Sequence, residues 1–327
     1  MKKFITNKLL MSKLFTLLLL LVIVLALFTV LSSGSFFSMR NVINILNSMA
    51  VVAFLTIGAG LLLVSGYLDL STGAIGTMSG ILMAIMLREG FWWLAAIVVA
   101  LIAAGIIGFI NALLISRFRL QAFITTLAVS SIISGSGFII TQARSVSIKD
   151  PVISYIGTQM IGGFLPVSVL LALLAFIIYG VILAKTNFGM KIYLVGGNPQ
   201  AAQLAGLNPR RMLFILFINN AMLGGVSGML FAARMKIGTT GVTGITTNQF
   251  AGLTAAILGG ISFGGGEGGL LGAFVGLLII NSFNNGMSVI GMNSNWQPVA
   301  SGILLLVALT FDYFLQRRRM RRKATDL

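Results

Sequence analysis

The sequence predicts an all-α, polytopic membrane protein, and three observations support this fold class. Hydrophobic residues make up 57% of the 327 residues and charged residues only 9%, whereas a soluble domain carries about 25% charged residues. The mean hydropathy is +1.04. The apolar residues fall in runs of about 20, long enough to cross the roughly 30 Å hydrocarbon core as helices. The alternating strands of about 10 residues that a β-barrel needs are absent from the sequence.

We predict about ten transmembrane helices. Two of them, 70–87 and 248–262, are short and rich in Gly and Ser, which is typical of broken or tilted spans. The first apolar run follows a basic segment, as in a signal peptide. It exceeds the usual 7–15 apolar residues of such a peptide and therefore favours a retained span. The predicted spans are 14–32, 44–65, 70–87, 91–116, 121–142, 164–184, 212–232, 248–262, 268–290 and 297–315.

The basic residues predict the orientation. With the N-terminus inside, 16 of the 22 Lys and Arg residues fall on the cytoplasmic side and 6 outside, so both ends are predicted to face the cytoplasm. The chain then divides into a basic N-terminus (1–13), a transmembrane domain (14–316) and a basic tail (317–327), with a long cytoplasmic loop at 185–211. Because the basic residues flank apolar runs, membrane topology explains the net charge of +16 better than nucleic acid does.

Several kinds of chemistry are excluded by residue types that the sequence lacks. Without Cys or His, disulfides, thiolate metal sites and Ser-His nucleophiles cannot form. The pattern G-x-x-x-x-G-K-[ST] is absent, so the chain does not hydrolyse ATP by that route. We predict no catalytic residue, metal or cofactor, and an intramembrane enzyme is disfavoured. Proton or sodium coupling needs acids deep in the spans, whereas all six acids are predicted near span ends, in loops or in the tail: Asp69, Glu89, Asp150, Glu267, Asp312 and Asp326.

Residues 195–212, VGGNPQAAQLAGLNPRRM, predict a short exposed helix between apolar segments. Asn198 is a good N-cap, Pro199 suits the first helical position, and Gly206 with Asn208-Pro209 ends the helix. A helix of about two turns is marginal alone in water. Since it has no Lys, Arg or large aromatic residue to anchor in lipid headgroups, we favour docking on a partner protein over a passive interfacial helix. The predicted docking residues are Asn198, Pro199, Ala201, Ala202, Leu204, Ala205 and Gly206.

Five stretches resemble one transporter family, in the same order along the chain. FGMKIYLVGGNPQAAQLAGLNPRRM (188–212) resembles the cytoplasmic loop of ribose-type permeases, and SGYLDLSTGAIG (65–76) resembles their G-x-x-DLS-x-G stretch. LQAFITTLA (120–128), ILGGISFGGGEGGLLGAFVG (257–276) and NSFNNGMSVIG (281–291) are similar to further family stretches. The chain therefore resembles, over about residues 40–315, the ribose and branched-chain amino-acid permease superfamily of ABC importers.

The resemblance implies a pore subunit in the bacterial cytoplasmic membrane. In such importers two permease copies form the pathway, and two cytoplasmic ATPases, which use ATP and Mg, bind the coupling helices. An external binding protein delivers the sugar, here a ribose-like or related monosaccharide. The resemblance implies that 198–206 is the coupling helix. An ATP-independent secondary transporter or channel for a small polar solute stays the alternative.

A sugar pathway needs hydrogen-bonding groups and flat apolar faces. Asp69 either caps the following helix or takes part in sugar binding or coupling. Each polar candidate can instead form a hydrogen bond between helices. The same two roles are open to four further polar residues, Ser48, Thr125, Asn219 and Asn220. The i, i+3 and i+4 spacing of the three asparagines near residue 281 places them on one helix face. The candidates are Asn47, Asp69, Ser71, Gln121, Phe123, Gln249, Phe250, Asn281, Asn284 and Asn285.

Glycine clusters mark two similar turns. Gly266, Glu267 and Gly268 lie in FGGGEGG, predicted as a sharp cytoplasmic reversal in which Glu267 is either a gate or ATPase contact or a solvated acid. GYLDLSTGAIG (66–76) and GGISFGGGEGG (259–269) each end one span, carry one acid and open another, a weak sign of an internal repeat. Relatives commonly carry an acidic pair where this chain has Gln249 and Ala251, which weakens transfer of any one relative's substrate.

Overall fold

The structure is a computed structural model that describes residues 2–240, 245–293 and 295–325, and it is mostly helical. Two short antiparallel ladders pair β1 (Val146–Ser147) with β4 (Ile237–Gly238) and β2 (Met160–Ile161) with β3 (Leu165–Pro166). A single 3-10 turn among the described residues spans Ser35–Phe37. The α-helices are α1 (Lys2–Leu31), α2 (Met39–Val64), α3 (Thr72–Arg88), α4 (Trp93–Arg117), α5 (Ala122–Thr141), α6 (Pro151–Thr158), α7 (Val167–Lys185), α8 (Asn187–Gly197), α9 (Pro199–Leu204), α10 (Pro209–Met235), α11 (Ile245–Leu258), α12 (Leu270–Val289) and α13 (Trp296–Thr325).

Seven of the described helices are long and apolar enough to cross a membrane, namely α1, α2, α4, α5, α7, α10 and α12. The three other predicted spans coincide with α3, α11 and α13, so each predicted span overlaps an observed helix. The mostly helical fold class is thereby confirmed. The side chains of the two predicted basic segments, 1–13 and 317–327, lie outside the described part of the chain.

Helix α10 lies at the centre of the molecule, in contact with α2, α3 and α4. Small residues permit this close packing. Gly228 on α10 contacts the backbone of Gly76 on α3 so closely that a Cβ would overlap it, and a Cβ on Gly80 would lie 2.9 Å from the Gly228 carbonyl oxygen. Gly76 with Gly80, and Gly224 with Gly228, are two G-x-x-x-G pairs, the spacing that lets membrane helices approach closely.

The short helices α3 and α11 begin at the same depth and run to opposite ends. Thr72, the first residue of α3, contacts Gly224 near the middle of α10. Gln249, in the first turns of α11, is bonded to Gly73 of α3. From this level α3 runs toward β4 and α11 runs toward the glycine-rich turn at 259–269. The two segments predicted to be broken or tilted thus contain short, uninterrupted helices, and residues 67–71, which precede α3, are not helical.

Two helices form in segments that the sequence predicts to be connections between spans. Helix α6 starts at Asp150-Pro151, and the Asp150 carboxylate accepts the N–H groups of Val152 and Ile153, both at 2.9 Å. Helix α8 starts after Thr186, whose hydroxyl oxygen accepts the Gly189 N–H at 3.2 Å. Both starts are N-caps, so the capping residues were the signals for these helices.

Candidate functional site

The predicted short helix is present as α9, with the predicted ends. The Asn198 side-chain oxygen accepts the Ala201 N–H at 2.9 Å, and Pro199 occupies the first helical position. At the other end Gly206 has a φ of +80°, a left-handed conformation that favours glycine. The sequence therefore specifies both ends of α9 through side-chain chemistry alone.

The docking residues predicted on α9 do not share one face. Ala202 is only 4% exposed and packs inward, whereas Leu204 is 91% exposed. Asn198, Pro199, Ala201, Ala205 and Gly206 are exposed as well. The outward surface of α9 thus presents Leu204 as its one large apolar side chain, together with small residues and the exposed amides of Gln200 and Gln203. Ala202 instead belongs to the contacts that hold α9 on the rest of the chain.

The end of α8 fits tightly against two turns, which lie in the similar stretches 66–76 and 259–269. Gly196 contacts the carbonyl oxygen of Val64 so closely that a Cβ would overlap it, and a Cβ on Gly265 would lie 3.0 Å from the Cα of Gly66. The Gly266 N–H donates to the Val64 carbonyl at 2.8 Å. We call this contact of Gly66, Gly196, Gly265 and Gly266 the glycine joint.

A side-chain bond strengthens the same contact. The Tyr193 hydroxyl on α8 donates to the Gly268 carbonyl at 2.6 Å, and burial raises the pKa of this phenol, so the hydroxyl stays protonated as a donor at neutral pH. Gly266 and Gly268 have φ values of +71° and +106°, which confirms a sharp reversal here. The Glu267 side chain is exposed, while its carbonyl oxygen accepts the Ser262 N–H at 3.2 Å.

Asp69 lies at the centre of a buried polar network and is 7% exposed. One carboxylate oxygen accepts the Ser71 N–H at 2.7 Å and the Ser71 hydroxyl at 2.6 Å. The other accepts the Asn220 amide at 2.9 Å, and Asn220 also donates to the Thr72 hydroxyl oxygen at 2.7 Å. Asn111 donates to the Ser71 hydroxyl oxygen at 2.8 Å. Neutral donors supply all of these hydrogen bonds to the Asp69 side chain.

Gln249 connects α11 to this network from the opposite half of the chain. Its side-chain oxygen accepts the Gly73 N–H at 2.6 Å, and its amide donates to the Leu70 carbonyl at 3.1 Å. The Leu70 N–H in turn donates to the Thr126 hydroxyl oxygen at 3.0 Å. Side chains of α5 and α11 therefore supply the hydrogen-bond partners of the backbone groups of Leu70 and Gly73. We call Asp69, Ser71, Asn111, Asn220 and Gln249 the buried hub.

The predicted location of Asp69 near a span boundary is wrong. The segment 65–71 leads back into the molecule, so that Asp69 and Ser71 lie near the middle of α10 rather than at its end. The predicted cap role of Asp69 is wrong as well, because Ser71 is the N-cap residue of α3 and Asp69 accepts the Ser71 N–H, which precedes the helix. Asn111 and Thr126 were not among the candidates. Asn111 is a single amide within an otherwise apolar span, which was the available signal.

The three asparagines of α12 lie away from the buried hub. Asn281 donates to the Leu277 carbonyl of its own helix at 2.9 Å. Asn285 accepts the Asn41 amide of α2 at 2.8 Å. The Asn284 side-chain oxygen is buried without a hydrogen-bond partner. Of these three residues, Asn285 joins α12 to another helix, and none of them forms a group with Asp69.

The other pathway candidates are spread over the structure. Gln121 is the exposed N-cap residue of α5, and Phe123 beside it is 50% exposed. Phe250 is partly exposed next to Gln249, while Asn47 is half-buried on α2. Of the ten pathway candidates, the structure brings together Asp69, Ser71 and Gln249.

Comparison with known proteins agrees with this architecture. Residues 41–309 match the family described as branched-chain amino acid transport system / permease component. The chain is 31% identical to the probable ABC transporter permease protein YphD of Escherichia coli (strain K12), over 93% of this chain and 91% of that protein. It is 31% identical to the ribose import permease protein RbsC of Bacillus subtilis (strain 168), over 85% and 86%. It is 30% identical to the L-arabinose ABC transporter permease protein AraH of Azospirillum brasilense, over 91% and 86%. The chain therefore belongs to the branched-chain amino acid transport system / permease component family, whose members are multi-pass membrane permeases and not enzymes.

Proposed function

We propose that this chain is the membrane-spanning subunit of an ATP-binding cassette importer and forms the pathway for a monosaccharide. The observation that carries this proposal is similarity over most of the chain to permeases named for ribose, L-arabinose and fructose import. The absence of a G-x-x-x-x-G-K-[ST] motif in the sequence assigns ATP and Mg to a partner subunit. A second permease copy, identical or different, completes the pathway, and an external binding protein delivers the sugar.

We infer ten membrane crossings with both ends in the cytoplasm. Seven helices have membrane length, and α3, α11 and α13 supply the remaining three. The helices α3 (17 residues) and α11 (14 residues) are about 25 Å and about 21 Å long at 1.5 Å per residue. Each is shorter than the hydrocarbon core of roughly 30 Å, so residues adjoining each helix complete its crossing. The excess of Lys and Arg on the side of the N-terminus supports this orientation. In this orientation α9 and the glycine joint lie at the cytoplasmic face.

Helix α9 is the coupling helix, and Leu204 is its main contact with the ATPase. An apolar side chain that is 91% exposed at the cytoplasmic face is stabilised once a partner covers it, at about 25 cal/mol per Å² of buried apolar surface. Movement of α9 reaches Gly196 through α8, and Gly196 contacts the residues that begin the segment 65–71. That segment ends at the buried hub, so the ATPase moves the start of α3 through a short run of backbone.

Asp69 and Gln249 are positioning residues in this mechanism. Asp69 accepts three hydrogen bonds, and Gln249 makes two to the start of α3. Because these groups are engaged within the protein, they hold α3 against α10 and α11 instead of binding sugar. The binding protein selects the sugar outside, so the pathway itself needs few specific ligands.

Reconstitution tests this proposal directly. Proteoliposomes that hold this chain with the ATPase and binding protein encoded beside its gene should concentrate labelled ribose, arabinose or fructose only when ATP is supplied. Vesicles with this chain alone are the matched control and should show no uptake. Uptake that proceeds to equilibrium in the control vesicles would instead establish an ATP-independent channel.

A further inference from the structure

A cavity lies beside the coupling loop, between α8 and the first turns of α10. Its volume is about 410 Å³. The apolar part of its wall includes Phe188 from α8 and Met212 and Ile215 from α10. Lys191 and Arg211 also line it, and both are exposed. The cavity thus combines an apolar wall with two positive charges.

The two charges have no acidic neighbour in the cavity wall. None of the described lining residues is Asp or Glu, and the ion pair found within the described residues, Arg88 with Glu89, involves neither of them. Lys191 and Arg211 therefore favour an anion that comes from outside the chain. Phosphate suits them because an Arg guanidinium and a Lys ammonium both donate charge-assisted hydrogen bonds to it.

The depth of the lining residues indicates which anion fits. Arg211 lies in the first turn of α10, and Ile215 lies one turn further, about 6 Å deeper along the helix. Ile215 is also on the side of α10 that carries the partly exposed Met222. The charges consequently lie at the cytoplasmic boundary and the apolar wall lies toward the hydrocarbon, the same order as phosphate and acyl chain in a lipid of the inner leaflet.

We propose that this cavity binds an anionic phospholipid. Lys191 and Arg211 hold the phosphate, and Phe188, Met212 and Ile215 contact the upper part of an acyl chain. Basic pockets at the cytoplasmic side of membrane helices are known to bind such headgroups. Since α8 precedes α9 and α10 follows it, the lipid bridges both flanks of the coupling helix and restrains that loop.

Lipid binding to the purified full-length chain tests the proposal. In neutral detergent, native mass spectrometry should show retention of phosphatidylglycerol in preference to phosphatidylcholine. The double variant Lys191→Ala/Arg211→Ala should bind phosphatidylglycerol roughly 30-fold more weakly, from the loss of two basic contacts. The matched control is Lys185→Ala/Arg210→Ala, which removes two exposed positive charges that do not line the cavity and should bind as the unaltered protein does.

Three outcomes would overturn the proposal. Equal loss of binding in both double variants would show a general charge effect. Equal competition by water-soluble glycerol phosphate would show a site for a free anion. Displacement of the lipid by the purified ATPase would assign the cavity to the partner protein. If the double Ala variant does not fold, Lys191→Gln/Arg211→Gln keeps a polar side chain at both positions without the charge and should show the same weakened binding. None of these measurements depends on sugar transport, so their failure is distinguishable from failure of the proposed function.

Discussion

The buried hub and the glycine joint lie at the two ends of one short segment, 65–71, but they are held together in different ways. The hub is held by hydrogen bonds between side chains and backbone, as between Asp69 and Asn220 at 2.9 Å. The joint is held by shape, because Gly196 and Gly265 bring three stretches of backbone into contact. The hub therefore depends on polar side chains, each of which can be substituted separately, and the joint depends on residues that have no side chain.

This difference indicates how movement passes through the molecule. In the hub, Asp69, Gln249 and the Gly73 N–H have partners, so the start of α3 is bonded to α10 and α11. In the joint, the Gly266 N–H to Val64 carbonyl bond and the Tyr193 to Gly268 bond are single contacts between separate segments. In the proposed coupling route the joint therefore passes movement on by direct backbone contact, and the hub carries it to α10 and α11 through hydrogen bonds.

The largest expected effect comes from adding one methyl group to the joint. Gly196→Ala would place its Cβ against the Val64 carbonyl oxygen and 2.9 Å from both the Gly266 nitrogen and the Ser65 Cα. Since backbone cannot yield as a side chain can, we expect a loss of about 3 kcal/mol or more in the free energy of unfolding. Thermal unfolding in detergent and the yield of folded protein measure this.

The neighbouring residue supplies the control for this change. A Cβ on Gly197 would lie 4.0 Å from the Gly266 Cα, the nearest atom of another segment, which is ordinary contact. Gly197→Ala should therefore unfold at nearly the temperature of the unaltered protein. Equal stability of the two variants would contradict the tight joint.

The next effect concerns the hub. Asn220→Leu removes the amide that donates to Asp69 and to Thr72. We expect a loss of about 1–3 kcal/mol, the range for a buried polar group left without its partner, as measured by unfolding in detergent. Asn219→Leu is the matched control, because Asn219 is half-buried and accepts only the Tyr179 hydroxyl at 2.6 Å. A larger loss for the Asn219 variant would contradict the importance of the hub.

The sequence predicted the short helix α9 better than the buried hub, for a physical reason. The ends of α9 are specified by neighbouring residues, Asn198, Pro199 and Gly206, so local chemistry was sufficient. The bonds of the hub join residues far apart in the chain, such as Gly73 with Gln249. No local pattern reports such a pairing. Thr125 and Thr126 illustrate the limit, since only the direction of the side chain decides that Thr126 bonds to Leu70.

Gln249 should contribute less to stability than Asn220. Gln249 bonds to backbone groups, whereas Asn220 bonds to the buried side chain of Asp69. Gln249→Leu leaves the Gly73 N–H and the Leu70 carbonyl without their side-chain partner, and we expect a loss of about 1–2 kcal/mol. Asn281→Leu is the control, because Asn281 bonds within its own helix. A thermal unfolding comparison in one detergent ranks the two variants. If Asn281→Leu costs as much as Gln249→Leu, the connection between α11 and α3 is not the source of the effect.

The smallest effect on stability should accompany a large effect on transport, at Leu204. Leu204→Arg changes a side chain that is 91% exposed, so we expect the free energy of unfolding to change by no more than about 0.5 kcal/mol. The same change places a charge in the proposed ATPase contact and should abolish ATP-driven uptake in proteoliposomes. Ala202→Arg would not separate these effects, because Ala202 is buried and its replacement disturbs α9 itself. Normal uptake by the Leu204 variant would show that α9 does not contact the ATPase. Lost uptake with an unchanged free energy of unfolding would show that Leu204 acts in the contact with the ATPase and not in the stability of the fold.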